Sequence, residues 1–471
     1  MQPKHHSKSY PKRPSNTPEA AVCFHITALT HDGRGIASYD ESHQPDKRGK
    51  KVFIDFALPN EIVQSVITNT KKSFDEGKAV AIIKASNDRQ TPICQHFGVC
   101  GGCSLQHLDA DKQISHKQSV LANHLRHHAN TQPDNWLQPL IGERVAYRTK
   151  ARLGVRYLPK NDTLIVGFRE RTSNFLTNIN DCPILDIRIN QHLASLKHTL
   201  KELAGKGSIT HLEFTTGDAT SQVAMILRHV KPLNKKDKAI LVAFCQSVGW
   251  QLYLQPNDIN SVHRIDGKDL PNSQTVPPIG GLFYELPSLN LTLECSPLDF
   301  TQVNLSVNRQ MILLACKLLN LKQGEKVLDL FCGLGNFSLP MALYVGKTGK
   351  VIGVEGSTKM VERASMNAKA NGICHATFYT QDLTQDFSEQ PWVQDVDAIL
   401  IDPPRAGAID VVKYLGKFNA KRIVYVSCDP ATLARDTALI VTQGYRLTHA
   451  GVMDMFCHTS HVESIARFEK T

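Results

Sequence analysis

Val327-Leu-Asp-Leu-Phe-Cys-Gly-Leu-Gly-Asn336 decides the architecture of the C-terminal part of this chain. An apolar run stops in a Gly-x-Gly turn, and the apolar stretch after it reads as a helix. The same alternation continues in KVIGVEGS, a helix around VERASMNAKANG, ATFYTQDL, DAILIDPPRAG and RIVYVSCDP. Short apolar strands, each followed by a helix, predict a doubly wound, Rossmann-like parallel sheet covered on both faces. In such sheets ligands bind at the carboxyl ends of the strands, and the notable residues of this region fall there.

Gly333 and Gly335 let the backbone approach a nucleotide closely, and Glu355, ending the second strand, is placed to accept both ribose hydroxyls. Ser338 stands where a dinucleotide fingerprint has its third glycine, and no Gly-Lys-Ser/Thr phosphate loop exists, so S-adenosylmethionine fits better than a nicotinamide or a nucleoside triphosphate. Asp382, ending the third strand, is placed for the adenine.

Three elements converge on the same rim. Asp402-Pro-Pro-Arg405 follows the fourth strand, with the prolines holding the loop extended. Cys428 ends the fifth strand, in Val424-Tyr-Val-Ser-Cys-Asp-Pro430, on a strand-to-helix turn where α/β enzymes display nucleophiles. The loop Asp454-Met-Phe-Cys-His-Thr-Ser-His-Val-Glu463 brings Glu463 back towards them. A thiol beside a carboxylate suits methylation of uracil: thiolate addition at carbon 6 makes carbon 5 nucleophilic, and a base then removes the carbon 5 proton so that the thiol can leave.

Working outward, the 471-residue chain is too long for one core. Its 41% hydrophobic and 21% charged residues suit a soluble protein, and no apolar run reaches membrane-spanning length. A cytoplasmic location is expected, and with it twelve cysteines that serve as thiols, ligands or catalysts rather than disulfides. Net charge +10 favours a polyanionic partner.

Residues 1–18, basic and proline-rich, predict a disordered tail. Residues 19–86 carry short β-like runs separated by turns, the pattern of a small barrel, with basic groups on the loops 31–37 and 46–51 that can reach phosphates. Residues 87–300 read as a central, mostly β domain, in which Arg148, Lys150, Arg152, Arg169 and Arg171 are candidates to grip a folded RNA. Residues 301–471 form the α/β domain. Cys94, Cys100 and Cys103 lie within one glycine-rich loop, with Cys182 as the best fourth ligand; zinc and an iron-sulfur cluster both suit this spacing.

The strings DPPRAG, VSCDPATLARD and HVE, with DFTQVN and DLFCGLGNFS upstream, resemble the RNA uracil-5-methyltransferase family over nearly the whole chain, in particular its bacterial 23S rRNA branch. The resemblance implies an OB-like TRAM barrel, a 4Fe-4S cluster held by Cys94, Cys100, Cys103 and Cys182, and a S-adenosylmethionine pocket lined by Gln302, Phe331, Asn336, Glu355, Asp382 and Asp402. It makes Cys428 the nucleophile and Glu463 the base, and implies 23S ribosomal RNA as substrate, at the uridine conventionally numbered 1939, with a tRNA uracil-5-methyltransferase or a non-catalytic iron-sulfur RNA-binding protein as the alternatives; a monomer without DNA or membrane partners is expected. Two positions depart from the family pattern. Asp429 replaces the usual Asn and is expected to oppose ionisation of the neighbouring thiol; Cys457 replaces the usual Pro and is expected to loosen the turn before Glu463.

Overall fold

The computed structural model describes residues 21–40, 45–218, 223–266 and 282–471. The tail expected over residues 1–18 lies outside them. Residues up to Arg89 form one compact unit and those from Gln90 onward a second.

In the first unit, β1 (Val22–His25), β2 (Ala28–Leu29), β3 (Gly35–Ser38), β4 (Lys51–Asp55), β5 (Ile62–Thr70) and β6 (Phe74–Lys84) form one sheet in the order β1-β5-β6-β4-β3-β2. Its two end strands are parts of a single run. The Ile26 amide donates to the Glu61 carbonyl at 2.9 Å, whereas the Thr27 amide donates to the Ile36 carbonyl at 2.8 Å. The sheet therefore curls until its ends share one strand, around Phe24, Ile26, Ala37, Val52 and Ile54. A Cβ at Gly35 would lie 2.9 Å from Ile26 Cγ2, so the tight curl needs glycine there. Two basic groups expected to reach outward from the 46–51 loop turn inward instead: Lys50 Nζ is 2.6 Å and Lys47 Nζ 3.5 Å from the buried carboxylate of Asp75. A buried anion without partners is too costly to leave, and these two lysines compensate it.

In the second unit, a helix (Ala110–His128), capped by the Asp109 side chain, precedes the two-residue strand β7 (Asn135–Trp136). Next come β8 (Lys150–Leu158), β9 (Thr163–Gly167), β10 (Ile209–Thr216), β11 (Val223–His229), β12 (Trp250–Gln255) and β13 (His263–Arg264), a sheet ordered β13-β12-β11-β10-β8-β9. Helices Leu193–Glu202 and Lys235–Ser247 cover one face of it. The hairpin β14 (Phe283–Leu286) and β15 (Leu291–Glu294) then leads to the helix Leu305–Leu319.

The last sheet comprises β16 (Lys326–Leu330), β17 (Lys350–Glu355), β18 (Ala376–Thr380), β19 (Ala398–Ile401), β20 (Arg422–Ser427), β21 (Tyr445–Met453) and β22 (Glu463–Lys470), in the order β18-β17-β16-β19-β20-β22-β21-β7. The first five in that order are parallel and β22 is antiparallel to β20. Successive residues feed two cores, one on each face. Val327, Leu400 and Val424 pack with the helix Leu305–Leu319 on one side; Leu328, Ile399 and Tyr425 pack with Ile114, Leu121 and Leu125 on the other. That explains why these strands are apolar at every position rather than at alternate ones. The helix Ala110–His128 and β7 belong to this layer, although they fall within the 87–300 stretch read as a central domain. Among the described residues no helix is long and apolar enough to cross a membrane.

Candidate active site

The turn after β16 is built on left-handed backbone. Phe331, Gly333 and Gly335 have φ of 65°, 55° and 95°. Phe331 holds this conformation while its amide donates to the Val354 carbonyl at 2.9 Å. Glu355 fastens both sides of the cleft: one carboxylate oxygen accepts from the Gly333 amide at 3.3 Å and the other from the Ser357 amide at 3.0 Å. Ser338, standing in place of a third glycine, is fully buried and donates its hydroxyl to the buried carboxyl of Asp329. Burial pushes that carboxyl up to about 8 against the pull of the hydroxyl.

Asn336 is a brace. Its side chain exchanges two hydrogen bonds with the Asn308 amide, at 3.0 and 3.1 Å, and accepts from the Tyr284 hydroxyl at 2.9 Å. Neither Tyr284 nor Asn308 stands out in the sequence, because each is ordinary in its own element and meaningful only where the two meet the turn. Asp382 lies exposed just beyond β18, its carboxylate accepting from the amide and hydroxyl of Thr384, which hold it below the usual carboxylate range. Gln302 sits in the extended segment leading to the helix Leu305–Leu319, two residues after Phe300, which is 71% exposed.

Register brings the reactive pair together. In the antiparallel pairing of β20 with β22, Ser427 faces Ser464. The next residue outward on each side is therefore Cys428 and Glu463, and they share the rim with Asp402. Burial raises the carboxyl of Asp402 to about 7. Burial, and then the charge of Asp402, raise that of Glu463 to about 8, against the opposing charges of Lys117 and Arg405. The thiol of half-buried Cys428 is raised to about 11 by burial, then by Glu463 and Asp402, while Arg405 pulls it down. Such a group is a thiol at rest and becomes a nucleophile only when a neighbour takes its proton.

Both departures from the family pattern have partners in the structure. Asp429 is the N-cap of the helix Pro430–Thr442; its carboxylate accepts from the amides of Ala431 at 2.9 Å and Thr432 at 3.3 Å. Its carboxylate is thus engaged at the helix terminus. Cys457 does not loosen its turn. The side chain is buried, with its sulfur 3.1 Å from the Asp454 carbonyl and 3.5 Å from that of Glu143, and the Tyr147 hydroxyl donates to its carbonyl at 3.1 Å.

Cys94, Cys100, Cys103 and Cys182 line one pocket of about 270 Å³, together with Arg148, Phe168, Arg405 and His461. Burial raises all four thiols, Cys103 to about 12 and Cys182 to about 11. A Cβ on Gly101 would lie 2.9 Å from the Arg169 carbonyl, so the loop passes the neighbouring backbone only as glycine. Among the described residues, no three His, Cys, Asp or Glu side chains converge on a position for a single metal ion. Of the basic residues read as an RNA grip, Lys150 turns inward to the carbonyls of Pro297 and Asp299, and Arg152 pairs with Glu213 at 3.2 Å.

Comparison with known proteins gives a consistent picture. The profile of the family tRNA (Uracil-5-)-methyltransferase matches residues 109–471. A Psychrobacter arcticus protein named 23S rRNA (uracil(1939)-C(5))-methyltransferase RlmD is 55% identical over 465 residues, covering 95% of this chain and 90% of its own length. The protein of the same name from Alcanivorax borkumensis is 46% identical, covering 98% and 99%. Among solved structures, the Pyrococcus abyssi tRNA (uracil-54, C5)-methyltransferase in complex with S-adenosyl-L-homocysteine superposes with a TM-score of 0.68 at 22% identity, over 95% of this chain and 100% of that one. At that identity the likeness concerns the fold.

Proposed function

Since the chain belongs to the tRNA (Uracil-5-)-methyltransferase family, we propose that it methylates carbon 5 of a uridine in 23S ribosomal RNA, the position numbered 1939 in the names of its relatives. The observation that carries the mechanism is the β20–β22 register, which leaves Cys428 and Glu463 opposed beside Asp402. The Gly333–Gly335 turn, with Glu355 fastened beneath it, fits the nucleoside end of S-adenosylmethionine, and Gln302, Phe331, Asn336, Asp382 and Asp402 line the same cleft in this reading. Bound there, S-adenosylmethionine supplies a methyl group on a positively charged sulfur.

Cys428 acts first. Its sulfur, having lost its proton to a neighbouring carboxylate, bonds to carbon 6 of the uracil, and the electron pair of the 5,6 double bond becomes available at carbon 5. Carbon 5 takes the methyl group. Glu463 then removes the remaining proton from carbon 5, the double bond re-forms, and the bond from carbon 6 to the Cys428 sulfur breaks. A raised carboxyl suits Glu463, because a base poised near the working pH both accepts and releases a proton readily. The target base has to leave its stack to reach Cys428, at a cost of a few kcal/mol, which favours a loop or loosely paired uridine.

Four cysteines that line one pocket can together wrap a soft metal centre. Cys94, Cys100, Cys103 and Cys182 would hold a 4Fe-4S cluster in this reading, tying the loop to the turn at Cys182. The closed sheet of residues 22–84 is read as a TRAM-type RNA-binding barrel, and the protein as a cytoplasmic monomer. RNA carrying 5-fluorouracil tests the mechanism, since fluorine at carbon 5 leaves no proton for Glu463 and should trap the RNA on Cys428. A covalent complex formed equally well by Cys428→Ala would refute the assignment.

A further inference from the structure

Lys117 is a charged side chain with no exposed surface, in the middle of the helix Ala110–His128. Its ammonium lies 2.7 Å from Asp454 Oδ1 and 2.9 Å from the Phe456 carbonyl, 337 and 339 residues later in the chain. Both acceptors belong to the loop that ends at Glu463. Bringing an ammonium fully out of water is costly even when it is paired, and a buried pair often adds little net stability over an apolar one. Its cost therefore points to a task other than stability.

That loop is gripped by the same stretch of chain at further points. The His458 carbonyl accepts from the amides of Ser104 and Leu105, both at 2.9 Å. The His458 amide donates to the Gln113 side chain at 3.0 Å, and the Ser460 amide to the Ser104 hydroxyl, also at 3.0 Å. Residues 104–117 thus hold the loop at 454, 456, 458 and 460, and Glu463 begins the strand that follows.

We propose that Lys117 is a positioning residue for proton removal from carbon 5, fixing the loop that leads into Glu463 at the start of β22. This rests on the reaction proposed above. The groups facing Glu463 are Asp402 and Arg405 from the loop after β19, Cys428 after β20, and Lys117 from its helix; Arg144 stands 3.9 Å from Asp454 on the far side of the pair. Lys117 and Arg405 are the cations whose charge holds Glu463 down, so losing Lys117 loosens the loop and removes a charge that favours the carboxylate form of Glu463.

The test uses the full-length protein with unmodified substrate RNA. Lys117→Met keeps the length of the side chain and removes its charge. Because it leaves Asp454 buried with a weakened partner, Lys117→Met/Asp454→Asn is made alongside and decides the matter if the single variant does not fold. Affinity for S-adenosylhomocysteine, measured by calorimetry, should match the wild type. The kcat should fall roughly 100-fold, as for a catalytic group misplaced by about an ångström. The Cys428–RNA adduct should accumulate, because it forms but is slow to resolve, and the acid limb of the single-turnover pH profile should move to higher pH. A folded variant with wild-type adduct levels and an unmoved limb would overturn the proposal. If the wild type itself makes neither 5-methyluridine nor an adduct, it is the reaction, and not the role of Lys117 alone, that falls.

Discussion

Cys428 and Glu463 oppose one another one residue beyond the Ser427–Ser464 pair that closes the β20–β22 ladder. Strand register thus sets opposite one another a nucleophile and a base that act on adjacent carbons of one ring. A slip of one residue would turn Glu463 to the other face of the sheet.

Glu463→Gln should separate the two halves of the reaction. The amide resembles the protonated carboxyl in size and cannot accept the carbon 5 proton. The RNA adduct should form and persist in denaturing gels, while release of 5-methyluridine falls by a factor on the order of 10²–10⁴. A variant that releases product at the wild-type rate would remove Glu463 from this role.

The pH dependence follows from the carboxyl groups. Glu463 is raised to about 8 and Asp402 to about 7, so both lose their charge as pH falls through that range. Single-turnover methylation should rise with pH up to about 8. Asp402→Asn removes the charge that helps to raise Glu463, so any activity it retains should show its acid limb at lower pH. The same protons work the other way on folding: carboxyls raised from the ordinary values of 3.8 and 4.5 favour the folded state fully below those values, and that contribution is lost progressively as pH rises from there through the folded values of about 7 and about 8. Denaturant midpoints of the ligand-free protein should reflect it.

Asp429 is a cap. Asp429→Asn should keep the helix start and the wild-type urea midpoint, since Asn caps about as well as Asp. Asp429→Ala should cost about 1 kcal/mol of stability, measured by urea unfolding.

The cysteine pocket makes an analytical prediction. Protein purified without oxygen should be brown and contain iron and acid-labile sulfide. Cys103→Ser should lower both and weaken the loop against proteolysis. Zinc without sulfide would exclude the cluster.

The α/β layer is legible in the sequence because its signals are local. A strand, a Gly-x-Gly turn and an acid at the next strand end lie within 30 residues, from Lys326 to Glu355. The helices Leu193–Glu202 and Lys235–Ser247 were also within reach, since Leu193, Leu196 and Leu200 mark a buried stripe at helical spacing, but the neighbouring β-like runs mask it. Other features have no local signal. A two-residue strand such as β7 carries no periodicity, and the inward turn of Lys47 and Lys50 depends on Asp75 across the sheet. Nor does the alternation of residues announce that Asp429 caps a helix; only the backbone after Ser427 decides that.

The bond between Lys117 and Asp454 also has a meaning in time. A ribosome adding about 5–20 residues per second needs tens of seconds to make the 337 residues that separate them. Through that interval the helix Ala110–His128 has an ammonium with no carboxylate to meet and an apolar face with no sheet to cover. Strand β7 likewise waits for β21, the neighbour it pairs with. The nascent chain thus carries the support for its base long before the base exists, and this stretch is where chaperones should be found on the growing polypeptide.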